Sequence, residues 1–256
     1  QKRCPPSQCI RWLGFTIDVQ AGIISIPQDK LEAVLELARS FKQKDTTTIK
    51  RLQSLLGKLL HIAQCSRPAR IFLNRMLATL RAATSMIVKL DTGFQLDLQW
   101  FIEYLPQNNG RYIIDETTAP TYNIYCSVKE NTAMGRYETS QYTQPLQSFI
   151  DLSATPQDEL QALNCLASIK VWGPECRNSN IELACNDATV IVAITTGKSR
   201  NDSITAVMRE LWLVAAINKI NIKPKFIDTA DIFEVLRKPN KPLSINEYVF
   251  KRQANL

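Results

Sequence analysis

Residues 10–26 alternate in the manner of strands around a turn near Ala21-Gly22, so they predict a β-hairpin that feeds a helix. Pro27 opens that helix, with Leu31, Val34, Leu35 and Ala38 along one face. Thr46, Thr47 and Thr48 supply cap candidates for a second helix. There Leu52, Leu55, Leu56, Leu59, Leu60 and Ala63 recur at helical spacing, while Lys50, Arg51 and Lys58 fall largely elsewhere. Pro68 starts a third helix with Ile71, Phe72, Met76, Leu77 and Leu80 inward. A fourth runs from about Gln95 to Tyr104 and stops before Pro106. The turn Asn108-Asn109-Gly110 follows.

The second half changes rhythm. Asn123–Val128 is expected as a strand, with Arg136–Thr143 and Leu146–Ile150 as partners in a meander. Pro156 opens a helix through Leu160, Leu163 and Leu166 to Val171. Ile181–Cys185 is a short buried strand, Thr189–Thr195 a helix ended by Gly197, and Asp202–Asn218 a long amphipathic helix. Ile222–Ile227 is another strand, followed by a helical segment and a mobile tail after Pro239. The order βββ-α-β-α-α-β is that of an α+β or mixed-sheet domain. The boundary between the halves is expected between Gly110 and Pro120.

Charge sharpens that division. From Lys42 to Lys89 there are ten Lys/Arg and one acid, Asp45, whereas residues 121–256 carry 15 basic and 14 acidic side chains. A net charge of +7, concentrated on predicted helices, suits a polyanionic partner. The seven cysteines (Cys4, Cys9, Cys65, Cys126, Cys165, Cys176, Cys185) contain no CxxC pair, and His61 is the single histidine. This disfavours a zinc site and predicts packed thiols in a reducing, intracellular compartment, with a pairing of Cys4 and Cys9 left open. No stretch is apolar enough to predict a membrane span or a signal peptide, and no membrane partner is expected. Beginning without Met, the chain is expected to be a fragment, a processed product or a polyprotein segment.

Several motifs together resemble the primer-grip hairpin and thumb (or connection) of retroelement reverse transcriptases, DIRS-type elements and their relatives in particular. They are Trp12-Leu13-Gly14-Phe15-x-Ile17-Asp18, Ile26-Pro27-x-x-Lys30, Leu55-Leu56-Gly57-Lys58-Leu59 and Asp97-Leu98-x-Trp100-Phe101-x-x-Tyr104-Leu105-Pro106-x-x-Asn109-Gly110. The second half resembles an RNase H-like domain by its order of elements. The implied fold class is α/β and α: a β-hairpin plus helical thumb-like module over 1–115, an RNase H-like mixed-sheet α/β domain over 116–238, and a basic tail over 239–256. The resemblance implies that the first helices clasp an RNA–DNA hybrid or other duplex, and the cations agree, because an A-form backbone is held by shape and phosphate contacts. Lys50, Arg51, Lys58, Arg67, Arg70 and Arg75 are the phosphate candidates.

RNase H chemistry needs carboxylates that converge on two Mg²⁺ ions, since this hard cation requires anionic oxygen. Where the family has its first-strand Asp, the run Ile124–Val128 holds no acid, and Ser127 takes the place. The first-helix Glu matches Glu159. The next Asp falls on Asn186, with Asp187 beside it, and the last acid matches Glu234, or Asp231 in a shifted register. The expected histidine upstream of that acid is absent. Mg²⁺ is implied only if a displaced site is built from Glu159, Asp187 and Asp231. No phosphate-binding glycine loop, no Gly-x-Ser-x-Gly elbow and no base for a cysteine nucleophile competes, and His61 is expected to be a packed or solvated helix residue.

Three readings follow. The first is a nucleic-acid-binding module derived from a reverse transcriptase, with a degenerate, inactive RNase H-like domain. The second is a retroelement-derived assembly component of a ribonucleoprotein, holding structured RNA and presenting a surface to other protein chains. The third is a nuclease with a displaced two-metal site. With no polymerase palm in this stretch, polymerase chemistry is not expected of it.

Overall fold

The structure is a computed structural model that describes residues 7–66, 68–112, 119–197 and 199–251. It divides into two compact units, Gln1–Thr118 and Ala119–Leu256.

The first unit contains β1 (Cys9–Trp12), β2 (Phe15–Asp18), β3 (Ile23–Ser25), α1 (Gln28–Arg39), β4 (Thr46–Thr48), α2 (Ile49–Ile62), α3 (Ala69–Arg81), β5 (Ile87–Lys89), α4 (Thr92–Glu103) and β6 (Arg111–Tyr112). The expected single hairpin is in fact a meander: β1, β2, β3 and β6 form one antiparallel sheet in that order. The extra turn comes from Leu13 and Gly14, whose φ values of 48° and 89° reverse the chain in two residues. The Asn109 side chain then ties the end of the unit to its start. Its Oδ1 accepts from Ile26 N and its Nδ2 donates to Ile26 O, both at 2.9 Å.

The helices pack largely as their apolar spacing predicts, although Leu77 and Leu80 of α3 are only half-buried. Leu52, Leu55, Leu56, Leu59 and Ile62 of α2 are buried, whereas Leu60 is 50% exposed because it lies on the flank of that stripe. The Thr48 side chain caps α2 by accepting from Arg51 N at 3.4 Å. Phe72 of α3 stacks on Trp100 of α4 with centroids 4.4 Å apart. Helix α4 starts earlier than predicted because Asp91 caps it, accepting from Phe94 N at 2.7 Å.

The second unit contains β7 (Thr121–Lys129), β8 (Thr132–Tyr137), β9 (Ser140–Pro145), α5 (Gln157–Trp172), β10 (Asn180–Cys185), α6 (Ala188–Thr196), α7 (Asp202–Asn218), β11 (Asn221–Phe226), α8 (Thr229–Arg237) and β12 (Lys241–Pro242). Its mixed sheet has the order β11-β10-β7-β8-β9-β12. β7, β8 and β9 are antiparallel, and β10 runs parallel to both β7 and β11. This arrangement is compatible with an RNase H-like domain.

Two strand assignments change. The predicted strand 136–143 is broken by a turn at Glu138, where φ is 44°. Residues 146–150 form a turn closed by Ile150 N donating to Leu146 O, not a strand. The segment after Pro239, expected as a mobile tail, makes defined contacts up to residue 251: β12 pairs with β9, and Phe250 is buried against Phe149 and Tyr142.

Helix α5 is buried on nearly all sides, so its polar residues must find partners inside. Gln161 bridges β7, accepting from Val128 N and donating to Cys126 O. Asn164 Nδ2 donates to Ser127 O and Met134 O, and the Tyr142 hydroxyl donates to Asn164 Oδ1 at 2.7 Å. These bonds fix the helix over the strand that carries Ser127.

Candidate nucleic-acid interface

Helix α2 separates its chemistry by face. Its leucines point into the first unit, and Lys50, Arg51 and Lys58 are exposed. Arg51 and Lys44 each lie 5.7 Å from the centroid of the buried Phe41 ring, so one aromatic ring is flanked by two cations. Arg70 is exposed on α3. Arg67 lies outside the described residues. These side chains give the α2–α3 stretch a basic surface with no carboxylate in either helix.

Arg75, also a phosphate candidate, differs from these cations. Its guanidinium is committed to Asp97, with Nε donating to Oδ2 at 2.8 Å and Nη2 to Oδ1 at 3.0 Å. Asp97 is 0% exposed, so the pair joins α3 to α4 and gives Arg75 a structural partner that the other phosphate candidates are not shown to have. Burial lowers the pKa of that guanidinium, and the nearby Asp91 carboxylate opposes the shift. Arg11 is likewise paired: it donates to Asp29 at 2.6 Å and holds that carboxyl below its ordinary range.

A second group of residues was missed as a site. Lys30 of α1 and His61 of α2 meet beside Gly14. Their Nζ and Nε2 atoms lie 2.6 and 3.1 Å from where a Cβ on that residue would stand. The His61 ring stacks on Phe15 with centroids 4.4 Å apart, and its Nε2 is buried without a hydrogen-bond partner. Between α1 and α2 lies a cavity of ≈360 Å³ lined by Ile26, Lys30, Ala33, Val34, Gly57, Lys58, His61 and Ile62. The only sequence signal was that Gly14, Lys30 and Gly57 each belong to a quoted motif; their meeting is a tertiary contact.

In the second unit, the acids do not assemble. Ser127, 0% exposed on β7, donates through Oγ to Asn186 Oδ1 at 2.9 Å. Asn186 Nδ2 in turn donates to Thr229 Oγ1 at 3.3 Å, at the start of α8. Asp187 caps α6, accepting from Val190 N at 3.0 Å. Glu159 is half-buried in the first turn of α5, and Asp231 and Glu234 are exposed on α8, where Glu234 lies 3.8 Å from Lys238. Among the described residues no three His, Cys, Asp or Glu side chains are grouped to hold a metal ion. A paired Mg²⁺ centre needs converging anionic oxygens, so the neutral Ser127–Asn186–Thr229 chain does not fit it. Glu159, Asp187 and Asp231, expected as a displaced site, are not brought into such a group.

Of the described thiols, all but that of Cys9 are buried. Cys126, Cys165 and Cys185 are buried, with Cys126 and Cys165 sulfurs 3.4 Å apart. The Cys165 thiol is pushed up, first by its contact with Cys126, and Cys185 by its contact with Cys165. Cys9 is free and exposed, and Cys4 lies outside the described residues. No helix among the described residues is long and apolar enough to cross a membrane.

No protein-family model and no curated protein matches the chain. Among solved structures it is similar to the foamy viral protease-reverse transcriptase in complex with RNA/DNA hybrid, at 12% identity and a TM-score of 0.36, over 94% of this chain and 31% of that one. It is also similar to the same viral protein in complex with dsDNA, at 14% identity and a TM-score of 0.37, over 87% and 45% of the two chains. A dRH form with ds DNA gives 12%, 0.36, 85% and 38%. The likeness is distant, and the chain spans less than half the length of each of these chains.

Proposed function

We propose that this chain is a nucleic-acid-binding module derived from a reverse transcriptase, whose first unit holds an RNA–DNA hybrid or RNA duplex and whose second unit is a degenerate RNase H-like domain. The observation that carries the reading is the exposure of Lys50, Arg51, Lys58 and Arg70 on two helices that bear no acid. Phosphate contacts of this kind supply sequence-independent affinity through counterion release. The four motifs quoted above, from Trp12 to Gly110, support the same origin. The neutral Ser127–Asn186–Thr229 chain supports the loss of two-metal chemistry.

The test is binding of a labelled RNA–DNA hybrid by the full chain at several salt concentrations, first with Mg²⁺ and then with Mn²⁺. Four phosphate contacts predict a slope of log affinity against log salt of about −3 to −4. Lys50→Gln and Lys58→Gln should each make that slope shallower by about 1. Absence of binding, or binding insensitive to salt, refutes the first half of the proposal. Cleavage that is abolished by Glu159→Gln refutes the second.

A further inference from the structure

We propose that the cavity between α1 and α2 is a subsite for one unpaired nucleotide of the bound strand, an inference that rests on the nucleic-acid reading above. Its volume of ≈360 Å³ falls in the range of small-molecule sites, which begins at about 300 Å³. Its floor is apolar: Ile26, Val34 and Ile62 are buried. Each helix contributes one lysine to its lining, Lys30 from α1 and Lys58 from α2, and the lining contains no acid. Such a site selects a ligand with an anionic end and a body that loses little on leaving water. A nucleotide unit has both, with its phosphodiester for the ammonium groups and its base or sugar for the floor.

Three further features fit this occupant. Among the described residues the buried Nε2 of His61 has no hydrogen-bond partner, and a ribose hydroxyl or base edge can supply one. The His61 ring is already stacked on Phe15, which gives a flat and fixed edge to the cavity. Gly57 faces open space, with nothing within 4 Å of where its Cβ would stand, so a ligand can approach the α2 backbone there. Gly14 completes the arrangement. Any side chain at this position would meet Lys30 and His61, and its φ of 89° already favours glycine.

The test compares a blunt RNA–DNA hybrid with the same hybrid carrying a short single-stranded overhang, and adds 5′-AMP as a separate probe. The full chain should bind the overhang form at least about tenfold more tightly, which is the gain expected from one well-placed stacked and charged nucleotide. Gly57→Leu fills the cavity from open space and adds helix propensity, so it should erase the overhang gain while leaving blunt-hybrid binding intact and the melting temperature no lower. Lys30→Gln should reduce the gain and leave blunt binding in place. AMP binding that disappears in Gly57→Leu supports a site that also accepts free nucleotides. An overhang gain without AMP binding assigns the site to strand nucleotides alone. Equal affinity for both hybrids, or a gain that survives Gly57→Leu, overturns the inference while the salt-sensitive blunt binding upholds the broader function. If neither hybrid binds, both readings fall.

Discussion

Replacing Gly93 by Ala should destabilise the first unit, although the usual effect of such a change in a helix is the opposite. Gly93 is the second residue of α4, and exchange of Gly for Ala in a helix interior gains up to about 1 kcal/mol. Here the added Cβ would stand 2.9 Å from Cζ and Nη1 of Arg75 and 3.0 Å from its Nε. The guanidinium ends a flexible side chain and can move, but moving breaks its alignment with the buried Asp97 carboxylate. Breaking a buried pair costs about 3 kcal/mol or more, so after the helix gain the net loss should be about 2 kcal/mol. In an Arg75→Ala background no guanidinium stands in the way. Gly93→Ala should then be neutral or stabilising by up to about 1 kcal/mol, a coupling of about 2–3 kcal/mol. Amide hydrogen exchange of α3 and α4, measured for both singles and the double variant, isolates this unit from the other. A neutral or stabilising Gly93→Ala in the parent chain, or an equal effect in both backgrounds, would refute the reasoning.

Two further outcomes follow from the second unit. Its stability should be flat up to about pH 8.5 and fall as pH rises further, because the buried Cys165, Cys185 and Tyr142 groups keep their protons in the folded state while ordinary thiols (about 8.5) and phenols (about 10) lose theirs when unfolded. Urea midpoints for this unit at neutral pH and near pH 10 check the sign, and an unchanged or higher alkaline midpoint counts against it. Gly135→Ala should cost about 1–3 kcal/mol, since its Cβ would overlap the buried Tyr142 ring, which is stacked on Trp172 and hydrogen-bonded to Asn164. An unaltered melting temperature would show that the ring yields.

What was legible in the sequence was local. Helix α7 spans the residues predicted for it, and α2 follows its leucine stripe, because an apolar face of helical period can be buried in only one way. Helix α4 was read as starting near Gln95, whereas the Asp91 cap that lets it begin at Thr92 depends on conformation. The Leu13 turn was missed for a related reason, as leucine rarely adopts positive φ. Leu146, Phe149 and Ile150 look like a strand, yet they form a turn on which Phe250 packs. In the basic surface, charge marked Lys50, Arg51, Lys58 and Arg70 equally with Arg75. Only the tertiary contact with Asp97, twenty-two residues away, sets Arg75 apart. The meeting of Gly14, Lys30 and His61 is non-local in the same sense.

The uncharged side chain of Ser127 has a physical consequence for the unit that carries it. Acids at β7, at the end of β10 and on α8 would repel one another unless a divalent cation stood between them, and that repulsion would fall on the junction where the three elements meet. A hydroxyl, an amide and a second hydroxyl carry no such penalty. Ser127, Asn186 and Thr229 instead join the three elements by two direct hydrogen bonds, each worth about 1 kcal/mol, and Ile227 N adds a backbone bond to Cys185 O at the same junction. The neutral set therefore needs no cation between its members and keeps α8 fastened to the sheet. Beneath it Gln161 and Asn164 hold α5 to β7 through backbone atoms that do not depend on what stands at position 127. The contacts that hold α5 to the sheet are thus separate from the side chains that meet at this junction, so a change of side chain at position 127 should leave the sheet and α5 in place.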